Sequence, residues 1–339
     1  MPWRFAVAMV SGLSFLLASC GGDGSSSGTV TQATPAPGRV YASPPTDVAL
    51  SVNDVRTVVS QAVAEAQARG ARATIAVTDR VGNVLAVYRM AGASATAHIP
   101  EAPDGSKNDA QGLDVPAEVA AIAKAITGAY LSSSGNAFST RTASQIVQEH
   151  FPPSPQASIG RLPSGPLFGV QFSQLPCSDL NVRMAASPTL GPKRSPLGLS
   201  ADPGGFPLYR NGTVVGGVGV IADGVYGFDA NSDSTVPDVD TDEYLALAAT
   251  QGFEPQTGVR ADKISVGVFL VYSDADYAKV RTRNGGLNLL DPATGAYAVV
   301  GGYFTAGAPL AGTPYGVTAS GYRPAGADFS DADAYVLTN

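Results

Sequence analysis

The sequence predicts an α+β fold in which helices cover an antiparallel sheet. Three observations indicate it: an amphipathic helix opens the globular region, a hairpin follows it directly, and a second hairpin precedes a late helix. The chain has 339 residues, enough for one core and an appended segment. With 44% hydrophobic and 14% charged residues, the composition indicates a compact, weakly charged globule.

The first helix is predicted between Ser51 and Gly70. Ser51 and Asp54, three residues apart, form a start signal because each side chain can accept from a free backbone donor. Gly70 ends the helix, since glycine enters the left-handed conformation without steric cost. The apolar stripe at one-turn spacing consists of Val55, Val58, Val59, Ala62, Val63 and Ala66.

A hairpin is predicted next, with an extended β-branched run at residues 74–79 and a return strand at 84–90. Gly82 and Asn83 supply the turn. Alternation places Tyr88 and Met90 on one face of the second strand and Arg89 on the other.

Later elements follow the same rules. Further helices are predicted at residues 116–130, 140–150 and 241–249, and further strands at 167–175, 206–210, 214–221, 263–272 and 296–304. Asn211-Gly212 is a strong turn signal between the predicted strands at 206–210 and 214–221. Lys124 is predicted to lie off the buried stripe of its helix. The glycines at 216, 217 and 219 favour close backbone packing, with approach by a ligand as the alternative.

The stretch 54–93 resembles the opening of the GlcG/HbpS-like heme-binding family, which is related to the C-terminal domain of PduO-type corrinoid proteins. Segments 117–129, 207–224 and 241–249 resemble its middle helix, glycine-rich hairpin and closing helix. The resemblance implies a profilin-like sandwich, an antiparallel sheet of about five strands flanked by helices, here with a C-terminal β-rich extension. It also implies binding of heme or a corrinoid by a homo-oligomer. The family's Arg-Met-Asp-Gly-Ala pattern ends this hairpin with Ala91 in place of the aspartate.

The N-terminus predicts export. Residues 1–19 have the build of a signal peptide, and Leu17-Ala18-Ser19-Cys20 is a bacterial lipobox. Acyl chains on Cys20 would anchor the protein to a membrane, each buried methylene contributing about 0.8 kcal/mol. We therefore expect an exported lipoprotein of the outer membrane, facing the periplasm or the surface. An ordinary cleavable signal with an incidental cysteine is the alternative.

The domain plan follows from composition. Residues 20–45, rich in Gly, Ser, Thr and Pro, are predicted to be a flexible tether. The resemblance implies that residues 46–255 form the GlcG/HbpS-like domain, with insertions at 94–114 and 152–200. Residues 256–339 extend the sheet, wrap the domain or form a small β-rich subdomain.

Charge and cysteine content argue against nucleic-acid binding and against an intrachain disulfide. A net charge of −7 argues against nucleic-acid binding, which needs a basic surface. With Cys20 lipidated, Cys177 has no intrachain partner for a disulfide.

A heme site needs an apolar slot, an axial ligand and cations for the propionates. We expect the slot between the opening helix–hairpin unit and the late glycine-rich hairpin. Each candidate residue also has an ordinary structural reading. The candidate ligands are His98, in the 94–114 loop, His150, at a helix C-terminus, and Tyr88 and Met90. The candidate propionate partners are Arg89, Lys124 and Arg141.

An acidic run suggests a calcium loop. Oxygen-bearing residues at alternate positions are what Ca²⁺ prefers. The candidate ligands are Asp229, Asn231, Asp233, Thr235 and Asp240. Ser234 replaces the turn glycine, and the alternative is a solvated acidic loop that caps the next helix.

The leading hypothesis is a surface-anchored protein that captures, stores or senses heme or a related tetrapyrrole. A non-enzymatic role is favoured because the sequence has no serine nucleophile elbow, no paired cysteines and no H-E-x-x-H motif. One alternative is an enzyme, or a corrinoid or small-acid binder, in which Arg89 and Lys124 hold a carboxylate. Another is a structural envelope lipoprotein that self-associates through its hairpin.

Overall fold

A computed structural model describes residues 48–101, 105, 107, 110–147, 181–182, 191–227, 240–264, 270–282, 285–314, 317 and 319. All of them belong to one compact unit, residues 42–339. Several predicted features lie outside the described residues: the signal peptide, the tether, Cys20, Cys177, His150, the strand at 167–175 and most of the acidic loop.

The described elements alternate between helices and antiparallel strands. The helices are α1 (Val52–Arg69), α2 (Ala117–Tyr130), α3 (Thr140–Ile146) and α4 (Thr241–Ala249). The strands are β1 (Thr74–Asp79), β2 (Val84–Met90), β3 (Thr96–His98), β4 (Asp114–Pro116), β5 (Gly205–Arg210), β6 (Thr213–Ile221) and β7 (Gly295–Tyr297). None of the described helices has the length and apolar character to cross a bilayer.

Five strands form the main sheet in the order β5-β6-β1-β2-β7, and every neighbouring pair is antiparallel. The predicted α+β fold with a sheet of about five strands is therefore confirmed. The central strand, β1, joins the first hairpin to the second, because it hydrogen-bonds to β6 along its whole length. β7 lies at one edge, so the C-terminal segment extends the sheet.

The predicted strand at 263–272 is not seen in the described part of that segment. Residues 261–263 form a 3₁₀ turn, and 270–272 are irregular; residues 265–269 lie outside the description.

The ends of α1 follow the sequence signals. The Asp54 N–H donates to Ser51 Oγ over 3.1 Å, and the Ser51 N–H donates to Asp54 Oδ2 over 2.7 Å. Gly70 ends the helix with φ of 72°. Apolar side chains of α1 and α4 pack together in one buried cluster with Ile75, Val77 and Val218 of the sheet.

The opposite face of the sheet carries α2. A Cβ at Gly217 would overlap the Ala125 carbonyl oxygen, and a Cβ at Gly219 would overlap the Ala121 carbonyl oxygen. The glycines of β6 therefore let the helix backbone lie directly on the strand, which is the packing explanation predicted for this run.

The C-terminal segment also wraps the domain. Buried Glu65 of α1 accepts from the backbone N–H groups of Arg281 and Thr282 over 2.8–3.0 Å. Further along, the Gly312 N–H donates to the Leu50 carbonyl over 2.8 Å. These bonds join α1 and the residues before it to the C-terminal segment, more than 200 positions later in the sequence.

Candidate functional site

His98 lies on a small hairpin formed by β3 and β4. The 94–114 insertion, predicted to be a loop, contains β3 and the first residue of β4, and His98 pairs directly with Asp114. Along β3 the exposure alternates: Thr96 and His98 face outward, while Ala97 between them is buried. The His98 imidazole therefore points away from the core.

The side chains of His98 and Asp114 form the best-defined polar pair on this surface. His98 Nδ1 lies 2.9 Å from Asp114 Oδ1, and the imidazole is 49% exposed. An ionised carboxylate can only accept, so Nδ1 carries the proton of the neutral ring and Nε2 keeps its lone pair. Carboxylates orient metal-binding histidines in this way.

The surroundings of His98 are partly apolar. A parallel β-bridge places Val225 beside His98, and Val225 is 40% exposed. Leu113, next to Asp114, is 55% exposed. An exposed apolar side chain beside the imidazole, that of Val225, suits a flat, partly apolar ligand.

Arg89 is the predicted propionate partner that remains accessible. Its guanidinium is 38% exposed and lies 3.5 Å from Glu118 in the first turn of α2. Arg89 also donates to the Ala93 carbonyl over 3.2 Å. A pair this long and this exposed contributes little stability, so the cation can exchange its partner.

Lys124 is not at the surface, and its predicted position off the buried stripe is wrong. The side chain has no exposure and donates to Asp242 Oδ2 over 2.7 Å, to the Val220 carbonyl over 2.8 Å, and to Asp202. The cause is that α2 is covered all round: one side lies on the sheet and the other under residues 197–202. Lys124 is thus already neutralised and is not available to a substrate carboxylate.

The carboxyl groups around Lys124 titrate unusually. Burial raises the pKa of Asp202 to about 7, although Lys124 and the Gly227 N–H oppose the shift. Burial likewise raises the pKa of Asp242. Burial opposes the charge on Lys124, but Asp202 and Asp242 outweigh it and raise the Lys124 pKa.

Arg141 is likewise removed from any ligand. It is 2% exposed and pairs with Glu243 over 2.9 Å and with Asp274 over 3.3 Å. Burial raises the pKa of Glu243 to about 7, against the influence of Arg141. This network joins α3 to α4.

Tyr88 and Met90 lie in the packed core beside α1, with 1% and 2% exposure. Burial raises the pKa of Tyr88 to about 12, and Tyr297 and Asp291 add to the shift. Both side chains are therefore held in the packed core and not at the surface that carries His98.

The expected slot between the two hairpins is also wrong, because they are adjacent in one sheet and α2 lies directly on β6. Cavities among the described residues lie elsewhere: one of about 430 Å³ beside residues 270–277, one of about 350 Å³ beside Tyr130 and Asn136, and one of about 230 Å³ behind β3.

Of the five predicted calcium ligands, only Asp240 lies among the described residues. Asp229, Asn231, Asp233 and Thr235 lie outside the described residues. Asp240 caps α4 by accepting from the Glu243 N–H over 2.9 Å, as the alternative proposed. Within the described part of the chain, no His, Cys, Asp and Glu side chains form a group of three or more that could hold a metal.

Sequence reasoning missed Asp114, Asp202 and Asp242. Asp114 could have been found from the 94–114 insertion, because His98 lies near its start and Asp114 is its last residue. Asp202 and Asp242 had a weaker signal. Lys124 lies in an alanine-rich helix that must be buried, and a buried lysine needs carboxylate partners elsewhere in the chain.

Comparison with known proteins gives one family match. Residues 50–99 match the model of the family described as "Haem degrading protein HbpS-like". No curated protein matches the chain.

Solved structures that match the chain include a PduOC–heme complex, at 20% identity over 62% of this chain and 99% of that one, with a TM-score of 0.34. HbpS matches at 19% identity over 61% of this chain and 91% of that one, with a TM-score of 0.29. The Klebsiella pneumoniae protein ORFY matches at 14% identity over 62% and 94%, with a TM-score of 0.29. At these identities and scores we draw no conclusion about function from them.

Proposed function

The GlcG/HbpS-like resemblance predicted from the sequence is confirmed by the family match over residues 50–99, and from it we propose that this protein binds heme or a related tetrapyrrole through His98. The family description refers to heme, and the matched segment contains His98. The same segment holds the whole β1–β2 hairpin, which positions Arg89.

The observation that carries this proposal is the His98–Asp114 pair. An axial ligand must present an unprotonated nitrogen, and Asp114 accepting at Nδ1 leaves Nε2 free for that purpose. Since the imidazole is half exposed, a ligand reaches it without rearrangement of the core. A bound heme would supply an iron with an open coordination position.

The neighbouring residues support a surface site. Val225, beside His98, offers an apolar contact to a macrocycle. Arg89 offers a cation for a propionate and, like His98, is close to the start of α2: it pairs with Glu118, and β4 runs directly into the helix. We assign the site to this surface rather than to the interior.

The wider role remains as the sequence predicts it. A lipid on Cys20 would hold the heme site outside the cytoplasm, where the protein would capture, store or sense heme. We propose a binding role and no catalytic one.

Heme titration of the purified full-length chain tests the proposal. We expect a shifted Soret band that saturates at one heme per chain in the wild type. The chain has only two histidines, so His98→Ala and His150→Ala form a matched pair. The proposal expects His98→Ala to abolish or displace the band and His150→Ala to leave it unchanged. A wild-type spectrum that matches free heme, or a band that survives His98→Ala, would overturn it.

A further inference from the structure

A cavity of about 230 Å³ lies behind β3, and all of its lining residues are described. Ile99 forms part of its wall, and the residue before it, His98, points outward. The cavity is therefore separate from the proposed heme surface.

The wall has an apolar part and a polar part. Ile99, Leu197 and Leu199 supply the apolar part. The polar part consists of Ser200, Asp202 and Tyr226, and the hydroxyl groups of Ser200 and Tyr226 are hydrogen-bonded to each other. Asp202 is 7% exposed and Ser200 is 2% exposed, so both are fixed groups of the interior. An apolar body with one polar end would match this lining.

The charge around the cavity selects the sign of the ligand. Lys124, behind Asp202, has all three ammonium donors engaged by Asp202, Asp242 and the Val220 carbonyl. It therefore has no donor left for an anion. Two acidic side chains, Asp202 and Asp242, contact this one ammonium group, so acidic groups outnumber basic ones in this cluster.

We propose that this cavity is a binding site for a small organic cation, a monoamine with a compact apolar body. The ammonium group lies against Asp202 and the hydroxyl groups of Ser200 and Tyr226, and the apolar body contacts Ile99 and Leu199. The volume is below the ~300–1,000 Å³ of sites for drug-sized ligands, so the ligand is a single small ring or short chain.

Three probes of nearly equal size test the sign of charge: benzylamine, benzyl alcohol and benzoate, each titrated calorimetrically into the full-length protein. We expect saturable binding of benzylamine, at least tenfold weaker binding of benzyl alcohol and no binding of benzoate. Benzoate or benzyl alcohol binding as tightly as benzylamine would overturn the proposal, as would no binding of benzylamine.

Variants locate the site. Ala201 lines the cavity, so Ala201→Phe fills it without altering a charge, and Ala306→Phe places the same ring on an exposed residue. We expect Ala201→Phe to abolish benzylamine binding and Ala306→Phe to keep it. Because His98 is not part of the wall, His98→Ala should bind benzylamine as the wild type does, whatever the outcome of the heme titration. Retained binding in Ala201→Phe would overturn the proposal.

The pH dependence gives a second readout. Asp202 becomes charged across neutral pH, so benzylamine affinity should rise several-fold from pH 6 to pH 8, and Asp202→Asn should remove both the affinity and this rise. The charged and titratable groups facing Asp202 are Lys124, Asp240, Asp242 and Tyr226, with Asp223 acting on the same lysine. Affinity that is flat with pH and unchanged in Asp202→Asn would count against the site.

Discussion

Lys124 on α2 and Asp242 on α4 form an ion pair of 2.7 Å in which neither side chain is more than 1% exposed. The pair lies at the end of strand β6, because Lys124 also donates to the Val220 carbonyl. Asp242 in turn accepts from the Ala222 N–H over 2.6 Å and from the Asp223 N–H over 3.1 Å. One buried cluster thus connects both helical layers with the sheet between them.

Replacing Lys124 with methionine should destabilise the fold strongly. Methionine fills a similar volume, but Asp202 and Asp242 are then buried without a counter-ion. Removal of one partner of a buried pair costs about 3–5 kcal/mol. Urea unfolding measures the loss. Lys263→Met is the matched control: the Lys263 side chain is 48% exposed in its pair with Asp262, so this substitution should change the free energy of unfolding by less than about 1 kcal/mol. Equal effects of the two substitutions would contradict the role assigned to the cluster.

Glu65→Gln should destabilise the attachment of the C-terminal segment to α1. The carboxylate accepts from Arg281, Thr282 and Arg69, and glutamine turns an NH₂ group toward those donors. Loss of bonds to a charged acceptor costs about 1.5–3 kcal/mol at pH 7. Glu101→Gln, on an exposed residue, should have little effect in the same unfolding experiment.

The contribution of Glu65 to the free energy of unfolding should also disappear at acidic pH. Burial opposes the charge on Glu65, but hydrogen bonds from Arg281, Thr282 and Arg69 outweigh it and lower the Glu65 pKa below 4.5. A lowered folded-state pKa contributes stability above the unfolded pKa and loses it as pH falls through the folded value. The stability gap between wild type and Glu65→Gln should therefore be full at pH 6 and narrow steadily below about pH 4.5. A gap that widens on acidification would contradict the assignment.

Gly217→Ala should disrupt the contact between β6 and α2. The added methyl group would overlap the Ala125 carbonyl, a backbone atom that cannot rotate away. Overpacking typically costs about 1–3 kcal/mol, and we expect the upper end here. Gly301→Ala provides the control, because a Cβ at Gly301 has no heavy atom within 4 Å. Thermal unfolding should show a clear loss for the first variant and almost none for the second.

Asp114→Ala should weaken heme binding without abolishing it. The imidazole of His98 remains, but nothing fixes its tautomer or orientation. Loss of such a supporting partner typically lowers metal affinity about 10–100-fold. Heme titration followed at the Soret band measures this change. Asp291→Ala removes the same charge from an exposed turn and should bind heme as the wild type does. Equal heme affinities of Asp114→Ala and Asp291→Ala would show that Asp114 does not support the heme site.

Local signals predicted the local structure well. The Ser51–Asp54 capping box, the Gly70 stop and the Asn211-Gly212 turn each act within a few residues, and each is present in the structure. The surface proposed to bind heme was predicted only in part. His98 was identified, but Asp114 faces it across a hairpin within a segment whose composition indicated a loop.

The buried charges could not be predicted from sequence pattern. Lys124 meets Asp202 and Asp242 across 78 and 118 positions of chain, and helical periodicity carries no information over that distance. Nearly every side chain of α2 is buried, so its stripe has no polar face to mark the orientation. The expected slot failed for a related reason: alternation predicts which strands exist, but not that β1 and β6 are neighbours.

The pairing of β1 with β6 has a consequence for how the chain folds. These two neighbouring strands are separated in sequence by the whole stretch from Asp79 to Thr213, and the edge strand β7 begins only at Gly295. Most of the sheet therefore depends on contacts that are distant along the chain, and high contact order slows folding. We expect the newly made polypeptide to remain without its central sheet until synthesis has passed Ile221, an interval in which chaperones or a translocation machinery can engage it.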